Sequence, residues 1–558
     1  MPKDTGDPQE SLVFFGGPIR TLRDGLSVVE AVGVRGDRIA ATGSRSEVER
    51  ALTTTDGRRP RPFDLAGAGL LPGLVDAHVH LENLGHRLGL LDLDGVDSLR
   101  EACRLVAEAA RGLPPGVPVR GGGWSKSRWG DRFPTRHDLD RVAPGRPVAL
   151  SSKDGHSWWL NSEALRQAGL TRETVASPGA DIQRDENGEL TGILREYGGD
   201  LAWEEDRQAS PAAAAARSAA KLKRAAAEAN RRGLVGVHNM EGRDALKGLQ
   251  TLAADGGLNL RVWMYVPSLV LELLAGVGLE SGFGGPYLRL AGLKVFLDGA
   301  LGSESASLLE PYEGSSNLGL DQMTPVEFSR IVARASAERL AIAVHAIGDR
   351  AVRSAVDAFE AHQAVWQAAG LRHRIEHLQF GHPDDIRRYG RLGLVGSMQP
   401  IHAPSDRDMA ERHWGPGRCA SAYAWRTVAD AGAVLAFGSD APVETCDPLL
   451  GLYAAVTRRH PKDPGREPWR PELAVTPLEA VRAYTVGAAW AVGAERERGT
   501  IEPGRLADFT LLSEDILVRP DDPSATGEIL LRTRVVGTVV GGRLMYDGRT
   551  GTEASGAE

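Results

Sequence analysis

Leu70-Leu-Pro-Gly-Leu-Val-Asp-Ala-His-Val-His80 is an apolar run interrupted by Pro72-Gly73 and closed by two histidines two residues apart. It reads as a buried strand. Side chains alternate between the faces of a strand, so His78 and His80 point the same way. A pair of imidazoles on one face, at the C-terminal end of a strand, can hold one metal ion. Two core or surface histidines lying close by accident would give the same local pattern, so the remainder of the chain decides between the readings.

Working outward, the middle of the chain alternates strands and helices. Strands are expected at 70–80, Leu234–His238, Leu258–Tyr265, Leu288–Leu297, Ala341–His345, Arg374–His377, Leu394–Met398 and Val434–Ser439. Helix starts are marked by Ser210-Pro211 and by the capping boxes Thr324-Pro-Val-Glu327 and Thr476-Pro-Leu-Glu479. Eight strand–helix units imply an α/β fold, a (β/α)8 TIM-type barrel, with its active site at the strand C-termini.

Both ends of the chain read differently. Short β-rich runs with tight turns (Arg35-Gly-Asp37, Gly541-Gly542) occur at each, which suggests a small composite β-sandwich from residues 1–69 plus 490–558 around a barrel of residues 70–489. About 150 residues separate the first barrel strand from the second, far too many for one connection. A large insertion after the first barrel strand is therefore expected over 82–230. It is rich in Gly and Trp and placed to act as a lid over the barrel mouth.

Composition narrows the class. Apolar residues make up 42% and charged residues 25%, as in ordinary globular proteins. The 66 basic and 74 acidic residues leave a formal charge of −8, and no basic tract occurs. Nucleic acid and anionic membranes are thus unexpected partners. Cys103, Cys419 and Cys446 are scattered, which fits neither a disulfide framework nor a zinc knuckle. The polar start of the chain and the lack of a long apolar run point to a cytoplasmic protein without a membrane span.

Candidate ligands stand near the ends of five predicted strands: His78 and His80, Lys294, His345, His377 and Asp440. Four imidazoles and a carboxylate suit Zn²⁺ or a similar borderline divalent ion. Glu241, close after His238, reads as a surface acid. His86, His137, His373, His382 and His413 read as solvated or structural.

The chain resembles the amidohydrolase superfamily, within it amidohydrolase family 3 and its N-substituted formamide deformylase-like branch. The resemblance rests on Leu71-Pro-Gly-Leu-Val-Asp-Ala-His-Val-His80, Asp154-Gly-His-Ser-Trp-Trp-Leu-Asn-Ser162, Gly192-Ile-Leu-Arg-Glu196 and Lys294-Val-Phe-Leu-Asp-Gly299. It extends through His345-Ala-Ile-Gly-Asp-Arg350, Glu376-His377, Met398-Gln-Pro400, Gly438-Ser-Asp440 and Gly499 to Phe509. It implies that His78, His80 and Asp440 bind a more buried metal and that His345 and His377 bind a second. Lys294 would bridge the two as a CO2-derived carbamate. The alternative is a plain Lys294 paired with Asp298 or Asp440 beside one metal. Metal-bound hydroxide would attack the substrate carbonyl, with Asp440 as general base and then acid. His156, Glu196 and His402 stand in matching motifs as substrate-binding candidates, although an ordinary loop histidine fits His402 equally. Trp124 and Trp158 could stack on a substrate.

The implied activity is hydrolysis of a non-peptide C–N bond in a small molecule, a linear amide or formamide. The same site would serve an ester, lactone or phosphotriester hydrolase, because one fold hosts many reactions. A non-catalytic metal-binding protein is the third reading, opposed by the complete ligand set. A homodimer is suggested by the resemblance alone.

Overall fold

The computed structural model describes residues 11–93, 95–114, 116–130, 132–152, 157–176, 181–195, 210–302, 304–519, 521–549 and 552–553. The chain divides into two compact units. One comprises Met1–Leu84 with Leu222–Glu558, and the other Gly85–Lys221.

The first unit contains an eight-stranded parallel sheet. Its strands are β1 (Leu74–Val79), β2 (Leu234–Asn239), β3 (Arg261–Pro267), β4 (Leu288–Phe296), β5 (Ala341–Ala346), β6 (Arg374–His377), β7 (Val395–Met398) and β8 (Val434–Phe437). They follow one another in chain order around the sheet. Backbone bonds then bring the β8 end to β1: Asp440 donates to the His78 carbonyl and His80 to that of Ala441, both at 2.8 Å. Thr324 and Thr476 cap their helices through the expected reciprocal boxes with Glu327 and Glu479.

The opening stretch is two strands rather than one. Gly69–Pro72 pairs antiparallel with Phe509–Leu512 in the sheet built from the chain ends, whereas Leu74–Val79 pairs parallel with β2. The break falls at Gly73, where any Cβ would run into the buried Val235 side chain. Pro72-Gly73 is thus the joint between the two sheets of this unit.

Strands from both chain ends form one nine-stranded sheet. Within it, Phe14 near one end of the chain packs edge-on against Phe509 near the other, ring centres 5.5 Å apart. Its hairpins turn at Gly36-Asp37 and Gly541-Gly542. The second pair has φ of +58° and +75°, the left-handed values that a two-residue hairpin turn needs.

The unit Gly85–Lys221 has its own six-stranded sheet, running from Asp181–Arg184 at one edge to Leu91–Asp92 at the other. Val119, Trp124, Val148, Leu150, Trp159 and Ile193 form its core.

Asp508 ties the folded sheet to the barrel. It accepts from the Arg261 guanidinium at 2.8 and 3.0 Å, from Arg498, and from the Gly541 N–H at 2.8 Å, with all three charged side chains buried. Removing the carboxylate strands two buried cations. Asp508→Ala is expected to cost about 3–5 kcal/mol, read as a lower urea midpoint at unchanged slope. A shift below about 1 kcal/mol would contradict this assignment.

Candidate metal centre

The ends of β1, β4, β5, β6 and β8 converge on a cavity of about 320 Å³. His78, His80, Lys294, His345, His377, His402 and Asp440 all line it. Asp440 follows β8 in the left-handed region at φ +60°, and His377 ends β6 at φ +72°. Such values are uncommon outside glycine and gather at functional sites. Consecutive residues of a regular strand face opposite ways, yet both Glu376 and His377 reach His78.

Asp440 Oδ1 lies 3.4 Å from His78 Nε2 and 3.2 Å from His80 Nε2. The candidate ligand atoms of His78, His80 and Asp440 lie within 4.8 Å of one another, as do those of His377, His402 and Asp440. The His345 and His377 ring centres are 4.6 Å apart, and those of His78 and His377 4.8 Å. All six residues that the resemblance assigned to metal binding therefore meet in one place.

The outer nitrogens of these rings are occupied. His345 Nε2 donates to the Gly299 carbonyl at 2.9 Å, which leaves Nδ1 as its available atom. His377 Nδ1 faces the Gln399 Oε1 acceptor at 2.9 Å, which leaves Nε2. Metal-binding histidines are commonly fixed this way. His402 differs: the Gln379 amide N–H approaches its Nδ1 at 3.4 Å, so Nε2 keeps the proton and faces the cavity as a donor. Among the described residues, His78 Nε2, Lys294 Nζ and His402 Nε2 are buried without a hydrogen-bond partner. Buried polar atoms are normally paired. The bare His78 Nε2 beside the Asp440 carboxylate fits a divalent cation, whereas the protonated His402 Nε2 does not.

Electrostatics point the same way. Burial, reinforced by Lys294, brings the His78 imidazole down to about 4 and that of His345 to about 3. Both are neutral at physiological pH, as ligation requires. Burial likewise brings the Lys294 amine down to about 8, against the pull of Glu376 and Asp440. Burial alone would raise the Asp440 carboxyl, but His78 and the hydrogen bond from His80 hold it well below the usual carboxylate range.

Lys294 makes no ion pair with Asp298 among the described residues. Asp298 instead accepts from the backbone N–H groups of Ser307, Ile347 and Gly348 at 2.8 to 3.0 Å, and lies 3.5 Å from His345 Nε2. The strand's two-residue period in Lys294-Val-Phe-Leu-Asp298 was the signal that could have marked it. Glu241 is half-buried, not a surface acid. It accepts from Glu82 N at 2.8 Å and Asn83 N at 2.9 Å, and so caps the helix that starts directly after His80. His373 is buried and structural, accepting from Ile342 N at 3.0 Å.

The remaining substrate candidates separate. His156 and Glu196 lie outside the described residues. Trp124 is a core residue rather than a stacking platform, because its ring is enclosed by Trp129, Phe133 and Trp159 and its Nε1 donates to the Leu150 carbonyl at 2.9 Å. Trp158 is half-buried and packs beside the Leu160–Leu165 cluster of the same unit.

The fold and this cavity define a metal-dependent hydrolase of the barrel type. Residues 61–546 match the amidohydrolase family, and the chain belongs to that family. It is 31% identical over 543 residues to the putative amidohydrolase YtcJ of Bacillus subtilis, covering 96% of this chain and 99% of that protein. It is 28% identical to the N-substituted formamide deformylase of Arthrobacter pascens, covering 97% and 99%. The crystal structure of an uncharacterized metal-dependent hydrolase from Pyrococcus furiosus superposes with a TM-score of 0.73 at 30% identity, covering 90% of this chain and 99% of that one. The protein is accordingly an enzyme that hydrolyses C–N bonds.

Gly438 sits against this centre. A Cβ there would lie 2.5 Å from the His78 backbone nitrogen and 2.7 Å from Asp76 Oδ1. Gly438→Ala is expected to lower stability by about 1–3 kcal/mol and to reduce bound metal, measured by thermal unfolding and elemental content. Wild-type values of both would show that the β8 end is free to yield.

Proposed function

We propose that the enzyme hydrolyses a linear N-substituted amide or formamide of small size, using a two-ion site with Lys294 carbamylated between the ions. The observation that carries this is the convergence of His78, His80, Lys294, His345, His377 and Asp440 on one cavity. Similarity to a formamide deformylase over nearly the full length supports the substrate class. Zn²⁺ is the ion whose preferences best match imidazole with carboxylate. A bound divalent ion supplies Lewis acidity and a water acidic enough to ionise near neutral pH.

The chain's own residues do the rest. Asp440, ionised and hydrogen-bonded by His80 at 3.2 Å, accepts the proton of the attacking water. As the C–N bond breaks it passes that proton to the leaving nitrogen, so the products are an amine and a carboxylic acid, which ionises once released to water. His402 directs its Nε2 proton into the cavity, placed to hold the substrate carbonyl. Phe296, Leu301, Met409 and Val443 give the cavity an apolar wall for the N-substituent.

Asp440→Asn is expected to reduce kcat by about 100- to 10,000-fold on alkylamides, and by much less on activated esters, whose leaving groups need no proton. An equal loss on both would favour the ester, lactone or phosphotriester reading. The Lys294 amine, lowered to about 8, sets a second expectation. Carbamylation consumes the neutral amine, and the neutral fraction rises with pH up to that value. At constant dissolved CO2, reactivation of the metal-free protein should therefore quicken about tenfold per unit between roughly pH 5 and 7 and level off near pH 8. A flat profile would remove the carbamate from the site.

A further inference from the structure

Arg374 and Glu376 are fully buried inside the barrel, and the mechanism above gives neither a role. Glu376 Oε2 lies 2.5 Å from His78 Nδ1 and accepts from Ser397 Oγ at 2.6 Å and Arg374 Nη2 at 3.0 Å. Its Oε1 accepts from Arg374 Nε. Arg374 is itself fixed. It donates to the Ala77 carbonyl on β1 and to Ser397 Oγ on β7 at 2.7 Å, and its Nη1 lies 2.8 Å from His238 Nδ1 on β2.

Every other neighbour of this carboxylate is a donor, so acceptor is the one role open to it. The proton between it and His78 must then sit on Nδ1. That leaves His78 Nε2 as a lone pair, buried, without a hydrogen-bond partner among the described residues and 3.4 Å from Asp440 Oδ1. A neutral imidazole has only two tautomers, and just this one can ligate an ion on the Asp440 side.

We propose that Glu376 is the positioning residue of the metal centre: fixed by Arg374 and Ser397, it dictates the His78 tautomer and ring orientation and so sets metal affinity on the His78–His80–Asp440 side. The inference rests on the metal-site reading above and deepens it. A hydrogen-bonded carboxylate also makes the imidazole a stronger donor, and loss of such partners typically lowers metal affinity by about 10- to 100-fold.

The test is a Co²⁺ titration of the chelator-stripped protein, followed by visible absorption, for wild type, Glu376→Gln and Ser397→Ala. Glutamine offers an N–H as well as a C=O, so Nδ1 is no longer obliged to carry the proton. Glu376→Gln takes the charge partner from buried Arg374 and so lowers the apo unfolding temperature, but with the far-UV spectrum of wild type it should bind Co²⁺ about 10- to 100-fold more weakly at one site and show an altered Co²⁺ band. Ser397→Ala, which leaves the ion pair intact, should weaken the same site by less. A merely structural role would shift apo stability and leave affinity and spectrum unchanged. Folded Glu376→Gln with wild-type affinity and spectrum overturns the proposal. If that variant does not fold, Ser397→Ala decides by the same readings. Failure of the wild type to bind Co²⁺ would instead overturn the metal reading, and this proposal with it.

Discussion

Everything in the site depends on how the last strand of the barrel meets the first. Asp76 of β1 accepts from the Ser439 N–H at 3.0 Å and the Ser439 hydroxyl at 2.5 Å, while also accepting from its own neighbour His78 N at 3.0 Å. Asp440 N and His80 N complete the seam with backbone bonds across it. The seam turns residues more than 350 positions apart into neighbours, since Ser439 and Asp76 are separated by 363. His78 and His80 then face Asp440, and the metal-binding side of the cavity exists. Burial raises the Asp76 carboxyl to about 6, and the three donors around it oppose that rise.

A second constraint is dehydration. Five histidines, a lysine and three carboxylates that line one pocket cannot all remain charged at tolerable cost. The structure answers by neutralising His78, His345 and His377 and weakening the lysine as a base, while Asp440 stays firmly ionised. Deeper in the barrel, the Arg374–Glu376 pair keeps its charges by direct contact, with Ser397 and His238 satisfying further valences. The barrel interior is thus more polar than its scaffold role needs, in keeping with catalysis at the strand ends.

The barrel and its candidate ligands are legible because each rests on a local pattern. His-x-His at a strand end, period-two apolar runs and capping boxes need no long-range information. Other parts are less so. The division of the opening stretch at Gly73 depends on Val235, a residue far away in sequence. Glu241 looked like a surface acid because nothing near it reveals the two helix N–H groups that it caps. Trp124 looked like a pocket wall because composition cannot tell an insertion with its own six-stranded sheet from a loop. Asp298 and Glu376 stood inside motifs already noticed, but their partners come from neighbouring strands, and only the closed sheet brings those together.

We propose a centre of two ions sharing one carbamylated lysine. Elemental analysis of protein purified with bicarbonate present throughout addresses it most directly, because carbamates do not survive denaturation. Close to two divalent ions per chain are expected, falling to one or fewer when Lys294 is replaced by alanine. A wild-type protein that holds a single ion under these conditions, with the same content in the alanine variant, would contradict it.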